Sequence, residues 1–102
     1  MKQYYGQQAK MVIQPGKRDE CIAQLKDIIA VLQHTPGCVY YLISTTEEPD
    51  VVWISELWTS KEAKDALAAN PESVQAMKEL TPFIASIAER AAMTVVSGFG
   101  LE

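Results

Sequence analysis

One histidine and two cysteines are the only residues of those kinds in 102 positions. His34, Cys21 and Cys38 stand too far apart for metal-ligand spacing, so the sequence points to no metal centre. Phosphate-binding glycine loops are missing too. Pro15-Gly16-Lys17 precedes a helix-like segment but lacks the second and third glycines of a dinucleotide fingerprint. No Ser-His-Asp set with a nucleophile elbow occurs. There is no basic stripe: nine Lys and Arg against thirteen Asp and Glu leave a net charge of −4, which argues against nucleic acid as a partner. The longest apolar runs are far too short for a membrane span, so no membrane contact is expected. Met1 to Gln8 contains no apolar core of a secretory signal. Together these absences predict a cytoplasmic protein whose two thiols stay free in a reducing compartment.

What is present is one domain over residues 1–102, with a core from about 9 to 98. Its organising stretch is Pro36 to Ser60. Val39 to Ser44 and Val51 to Trp58 are rich in β-branched and aromatic residues and read as strands. Thr45 to Asp50, polar and containing Pro49, reads as the turn between them. This hairpin carries two of the four tyrosines and both tryptophans. Ahead of it, Lys10 to Ile13, extending back toward Gln7, is a short strand ended by Pro15-Gly16. A helix is predicted from Lys17 to Gln33, with Ile22, Leu25, Ile28, Ile29 and Leu32 on one stripe. Asp19 and Glu20 suit its first turn, and His34 suits the negative end of its dipole.

After the hairpin, Thr59 to Glu62 fits a capping box with Thr59 as N-cap. A short helix to about Ala69 follows. Asn70-Pro71 starts the next one. Val74, Met77, Leu80, Ile84, Ile87 and Ala91 then repeat at helical spacing straight through Pro82. The spacing predicts one long helix kinked near Thr81-Pro82, or two helices sharing a face. Met93 to Ser97 closes the chain as a strand.

The order β-α-β-β-α-β is the ferredoxin-like α+β arrangement, an antiparallel sheet with helices on one face. On the second strand Val39, Tyr41 and Ile43 alternate with Cys38, Tyr40, Leu42 and Ser44. On the third, Val52, Ile54, Glu56 and Trp58 alternate with Val51, Trp53, Ser55 and Leu57. Neither set is strongly polar, and a sheet apolar on both faces needs cover on both. With no helix left over, a homodimer packed sheet to sheet is expected, with a cavity between or beside the sheets.

Several segments resemble the antibiotic biosynthesis monooxygenase family, and its quinol monooxygenase branch in particular. They are Gln14-Pro15-Gly16-Lys17, Pro36 to Tyr41, Glu56 to Ala63, Thr81 to Ile84 and Gly98 to Leu101. The resemblance covers about Ala9 to Leu101 and implies a dimeric α+β barrel. It implies a reaction without metal, flavin or haem, in which a bound phenol or hydroquinone loses a proton and its anion reacts directly with dioxygen. Tyr41, Glu56 and Trp58 match the site: Trp58 and Tyr41 to stack on or orient the ring, Glu56 as a carboxylate with a raised pKa to take the phenolic proton. Lys64 is a further candidate, as positive charge beside the phenolate.

Plainer roles are open to the same residues. Glu56 can pair with a lysine at the sheet end, Trp58 can be dimer-interface core, Tyr41 can pack, and Lys64 can be a solvated surface group. Many members of the family it resembles carry a histidine on the helix after the tryptophan. This chain has Lys64 and Leu67 there and no histidine on that helix, which disfavours the haem-degrading branch. A non-catalytic dimer that binds a small aromatic or serves a stress response is the alternative to an enzyme.

Overall fold

The computed structural model describes residues 3–101. They form β1 (Tyr5–Ile13), α1 (Arg18–Leu32), β2 (Cys38–Ser44), β3 (Val51–Trp58), α2 (Lys61–Ala69), α3 (Pro71–Leu80), a 3₁₀ turn (Thr81–Phe83) and β4 (Ile84–Thr94). The sheet runs β2-β3-β1-β4 and every pairing is antiparallel. This is the expected ferredoxin-like α+β fold, with the second helical segment split in two at Asn70.

Alternation along β1 sets both sides of the sheet. Ala9, Met11 and Ile13 are buried toward the helices. Across from them stand Ile54 and Val52 of β3. With Cys21, Leu25 and Ile28 of α1 and Ala76 and Leu80 of α3 they make the main core. A second cluster, Trp58 with Val31 and Leu67, fills the end of the sheet beneath α2.

Local chemistry explains most boundaries. Gly37 adopts φ +94, a conformation open to glycine at little cost, and it turns the chain from α1 into β2. A Cβ at Gly37 would lie 2.6 Å from the Ala63 Cβ and 2.9 Å from the Thr59 hydroxyl oxygen. The turn therefore packs directly on α2. The cap of α2 is Ser60, whose side chain accepts from the Ala63 N–H at 3.1 Å. Thr59, expected in that role, instead donates its N–H to the Gly37 carbonyl at 2.8 Å. Asn70 caps α3 by accepting from the Glu72 N–H at 2.8 Å, with Pro71 in the first turn, as the sequence predicts. No helix among the described residues is long and apolar enough to cross a membrane.

The long kinked helix through Pro82 does not form. The helix ends at Leu80, and Ile84, Ile87 and Ala91 lie on β4. Pro82 has no N–H for an i−4 bond and its ring crowds the carbonyl four residues back, so the chain tightens into a 3₁₀ turn and leaves. The helical spacing beyond it has another cause. Ile13 faces Ile84, Val12 faces Ser86, Met11 faces Ile87, and Lys10 faces Glu89. Ala85 and Ala88 are thus extra residues in two register shifts. Each lets the strand regain the same face after three residues instead of two. Ile84, Ile87 and Arg90 consequently share the helix-facing side, opposite Ile13, Met11 and Ala9. The closing strand is also longer and earlier than Met93 to Ser97.

Two smaller departures have the same origin in local geometry. On α3 the buried residues are Ser73, Ala76 and Leu80, while Val74 and Met77 are exposed. On β2 a register shift between Cys38 and Tyr40 brings Cys38 to the side of Tyr41, not to that of Tyr40.

Candidate functional site

Between the sheet and the helices of a single chain lies a cavity of about 270 Å³. The sequence placed a cavity between or beside the sheets, and this one lies beside the sheet, on its helix side, lined by residues of a single chain. Its walls are largely aliphatic: Ala9, Met11 and Ile54 from the sheet, Leu25 and Ile28 from α1, Leu80 from α3 and Ile87 from β4. Into this apolar space project a few polar groups, namely Gln7, Tyr41, Glu56, Lys64, Ser73 and Arg90. A small apolar cavity with sparse polar groups is suited to one flat ring held in a fixed orientation.

Glu56 is the centre of the polar set. It stands on β3 between Tyr41 of β2 and Gln7 of β1, directly opposite both in the register. Its Oε1 accepts from the Trp58 indole Nε1–H at 3.0 Å. The Lys64 ammonium lies 3.9 Å from the same oxygen, the two side chains being only 20% and 10% exposed. Oε2 has no protein partner among the described residues. No buried side-chain oxygen there lacks a partner, so Oε2 is not sealed away from solvent. One carboxylate oxygen is thus held by the indole N–H with an ammonium nearby, and the other is free to meet a ligand.

Tyr41 is placed to be a neutral hydrogen-bonding group. Burial, and then the negative charge of Glu56 beside it, push its phenol well above the usual tyrosine value. A raised value keeps the phenolic proton in place across the physiological range, so the hydroxyl can donate or accept a hydrogen bond. Burial and the same carboxylate also raise the thiol of Cys38, which therefore stays protonated and unreactive near neutrality. Cys21 and Cys38 are both free, the former buried and the latter half-buried.

Tyr41, Glu56 and Lys64, expected from the sequence, come together on one wall. Trp58 does not join them there. It is wholly buried, packs with Val31 and Leu67, and lies behind the wall. Its contact with the site is the indole N–H on Glu56, and its ring does not line the cavity. The exposed His34 lies past the end of α1, its N–H donating to the Val31 carbonyl.

The antibiotic biosynthesis monooxygenase family profile matches residues 4–79. The chain belongs to the antibiotic biosynthesis monooxygenase family. A Chloroflexus aurantiacus J-10-fl protein of that designation is 33% identical, with a TM-score of 0.86 over 97% of this chain and 99% of its own. Structures from Bacteroides thetaiotaomicron VPI-5482 and Caulobacter crescentus CB15 share the fold. They have 20% and 21% identity, TM-scores of 0.82 and 0.79, and coverage of 97% and 95% of this chain and 96% and 92% of theirs. No curated protein matches.

For this family member the sequence did not reveal Gln7 and Arg90. Gln7 shares a face with Ala9, Met11 and Ile13, and the strand alternation could have been followed back to it. Arg90 lay within a pattern that mimicked a helix, and nothing in the linear sequence marks the bulges that turn it inward.

Proposed function

We propose that the protein oxidises a small phenol or hydroquinone with dioxygen, the substrate supplying every electron. The observation that carries this reading is the free Oε2 of Glu56 at the wall of an apolar cavity sized for one ring. The substrate hydroxyl gives its proton to Oε2. Lys64, beside the carboxylate, offsets the charge of the phenolate that forms. Tyr41 donates a hydrogen bond to the ring's oxygen and fixes its orientation. The aliphatic walls exclude water from the reactive anion.

For a phenol the balance is phenol plus dioxygen giving quinone plus water. One oxygen atom enters the ring as the C–H bond is lost, and the other leaves as water. The four electrons that reduce dioxygen come from the ring and its hydroxyl. For a hydroquinone the product is the hydroxyquinone, with the same balance. Base catalysis of this kind contributes about 10²–10⁴-fold in other enzymes.

A second copy of the chain is part of the proposal. On the sheet face away from the helices, Tyr40, Leu42 and Met93 are 39%, 53% and 41% exposed. They lie beside Leu57, while Gln8, Lys10 and Ser55 add polar groups toward the middle of the same face. A twin sheet covers such a mixed, largely apolar surface.

The decisive experiment follows oxygen uptake with a panel of hydroquinones and phenols, against the autoxidation rate of each. Acceleration with at least one, and label from ¹⁸O₂ in the product, is the expected result. Tight binding of a ring with no acceleration for any of them would make the protein a non-catalytic binding module of the same fold.

A further inference from the structure

The charged side chains lining the cavity are Glu56, Lys64 and Arg90. Glu56 and Lys64 face each other. Arg90 makes no ion pair among the described residues. Its neighbour Glu89 stands opposite Lys10, on the other side of the sheet. The cavity wall thus holds two cations against one anion, in a chain whose net charge is −4. A neutral phenol or hydroquinone leaves the second cation without a partner.

We propose that the substrate ring carries a carboxylate, and that Arg90 binds it. This rests on the monooxygenase reading and narrows its substrate to hydroxyarene carboxylates. Arg90 sits on the edge strand β4, opposite Ala9, while Glu56 sits on β3. Two strand spacings and an offset of two residues along β1, on the order of 12 Å between backbones, separate them, and both side chains line the cavity. A single ring bridges that gap with its hydroxyl at Glu56 and its carboxylate at Arg90. The guanidinium fork matches a carboxylate in two parallel hydrogen bonds, which a lysine does not reproduce. Arg90 is exposed, so the carboxylate remains partly hydrated at the mouth while the ring enters the apolar interior. That avoids the penalty of burying an ion pair completely.

The test compares 2,5-dihydroxybenzoate, its methyl ester and hydroquinone, with binding measured anaerobically by calorimetry and turnover measured separately by oxygen uptake. The acid is expected to bind at least about tenfold more tightly than the ester, a preference that shrinks as salt is raised. Arg90→Gln should weaken acid binding about 10- to 100-fold and ester binding less than about threefold, with Arg90→Lys between them. An unchanged melting temperature in both variants ties the loss to the site. Equal binding of acid and ester by the unaltered protein, or equal weakening of both by Arg90→Gln, overturns the carboxylate assignment, even if oxygen uptake is observed. Acid preference that depends on Arg90, with no ring oxidised, upholds the assignment and overturns the monooxygenase reading instead.

Discussion

Trp58 donates its indole N–H to Glu56, two residues before it on the same strand face, across 3.0 Å. The tryptophan is inaccessible to solvent, so its one polar atom is committed to fixing that carboxylate. Separating its packing role from its polar role needs two substitutions. Trp58→Phe keeps most of the burial and loses the hydrogen bond. It should lower kcat about tenfold, the cost of a charge-assisted hydrogen bond, with a small change in melting temperature. Trp58→Ala should cost about 3–5 kcal/mol of stability by opening a hole between Val31 and Leu67. A Phe variant with full kcat would confine Trp58 to packing.

Removing the base is the complementary change. Glu56→Gln is nearly isosteric but cannot take a proton at neutral pH. Turnover of a hydroquinone should fall about 10²–10⁴-fold, with the dissociation constant changing far less. Measuring both on the same preparation checks this, and an unaltered rate would place the proton acceptor elsewhere.

Tyr41 gives a prediction about pH. Its folded-state pKa is raised above the unfolded value, which lies near 10. Below pH 10 both states keep the phenolic proton and the stabilisation is fully present. Above pH 10 the unfolded chain loses its proton first, so stability falls as pH rises toward the folded value. Denaturant midpoints measured from pH 9 to pH 11.5 should decline less steeply in Tyr41→Phe than in the unaltered protein. Equal slopes would remove Tyr41 as the cause.

Gly37 ties a turn to the site. Any side chain there meets Ala63 and Thr59 and must also adopt a positive φ. Gly37→Ala should destabilise the fold by about 1–3 kcal/mol through overpacking alone. Because Ala63 adjoins Lys64, it should also shift the lysine from Glu56 and raise KM. Loss of stability without any change in KM would show that α2 absorbs the clash elsewhere.

The uncovered sheet face offers a test of assembly. Leu42→Asp changes a residue on that face and leaves the cavity lining untouched. Sedimentation at micromolar concentration should give the mass of two chains for the unaltered protein and of one for the variant. A single-chain mass for the unaltered protein would refute the paired sheets.

Much of the fold is legible from local chemistry in the chain. Enrichment in β-branched and aromatic residues on either side of a polar, proline-containing turn marked the hairpin, and Asn70-Pro71 marked a helix start. The strand faces of β3 put Glu56 with Trp58 and away from Trp53, because side chains alternate along a strand whatever the rest of the chain does. The segment Glu56 to Ala63 pointed to the family, and it was that resemblance that brought Glu56 and Tyr41 forward as site residues.

What the chain could not decide alone was anything dependent on pairing. Ile84, Ile87 and Arg90 recur every three residues, which is helical spacing in the sequence and a bulged strand in the fold. Only the antiparallel register against β1 inserts Ala85 and Ala88 as extra residues and turns Arg90 inward. Likewise the sequence offers Trp58 both as a ring-binding aromatic and as core, and only the tertiary packing places it, buried, against Val31 and Leu67. Periodicity reports which neighbours along the chain share a face, whereas the partner strand decides which face that is.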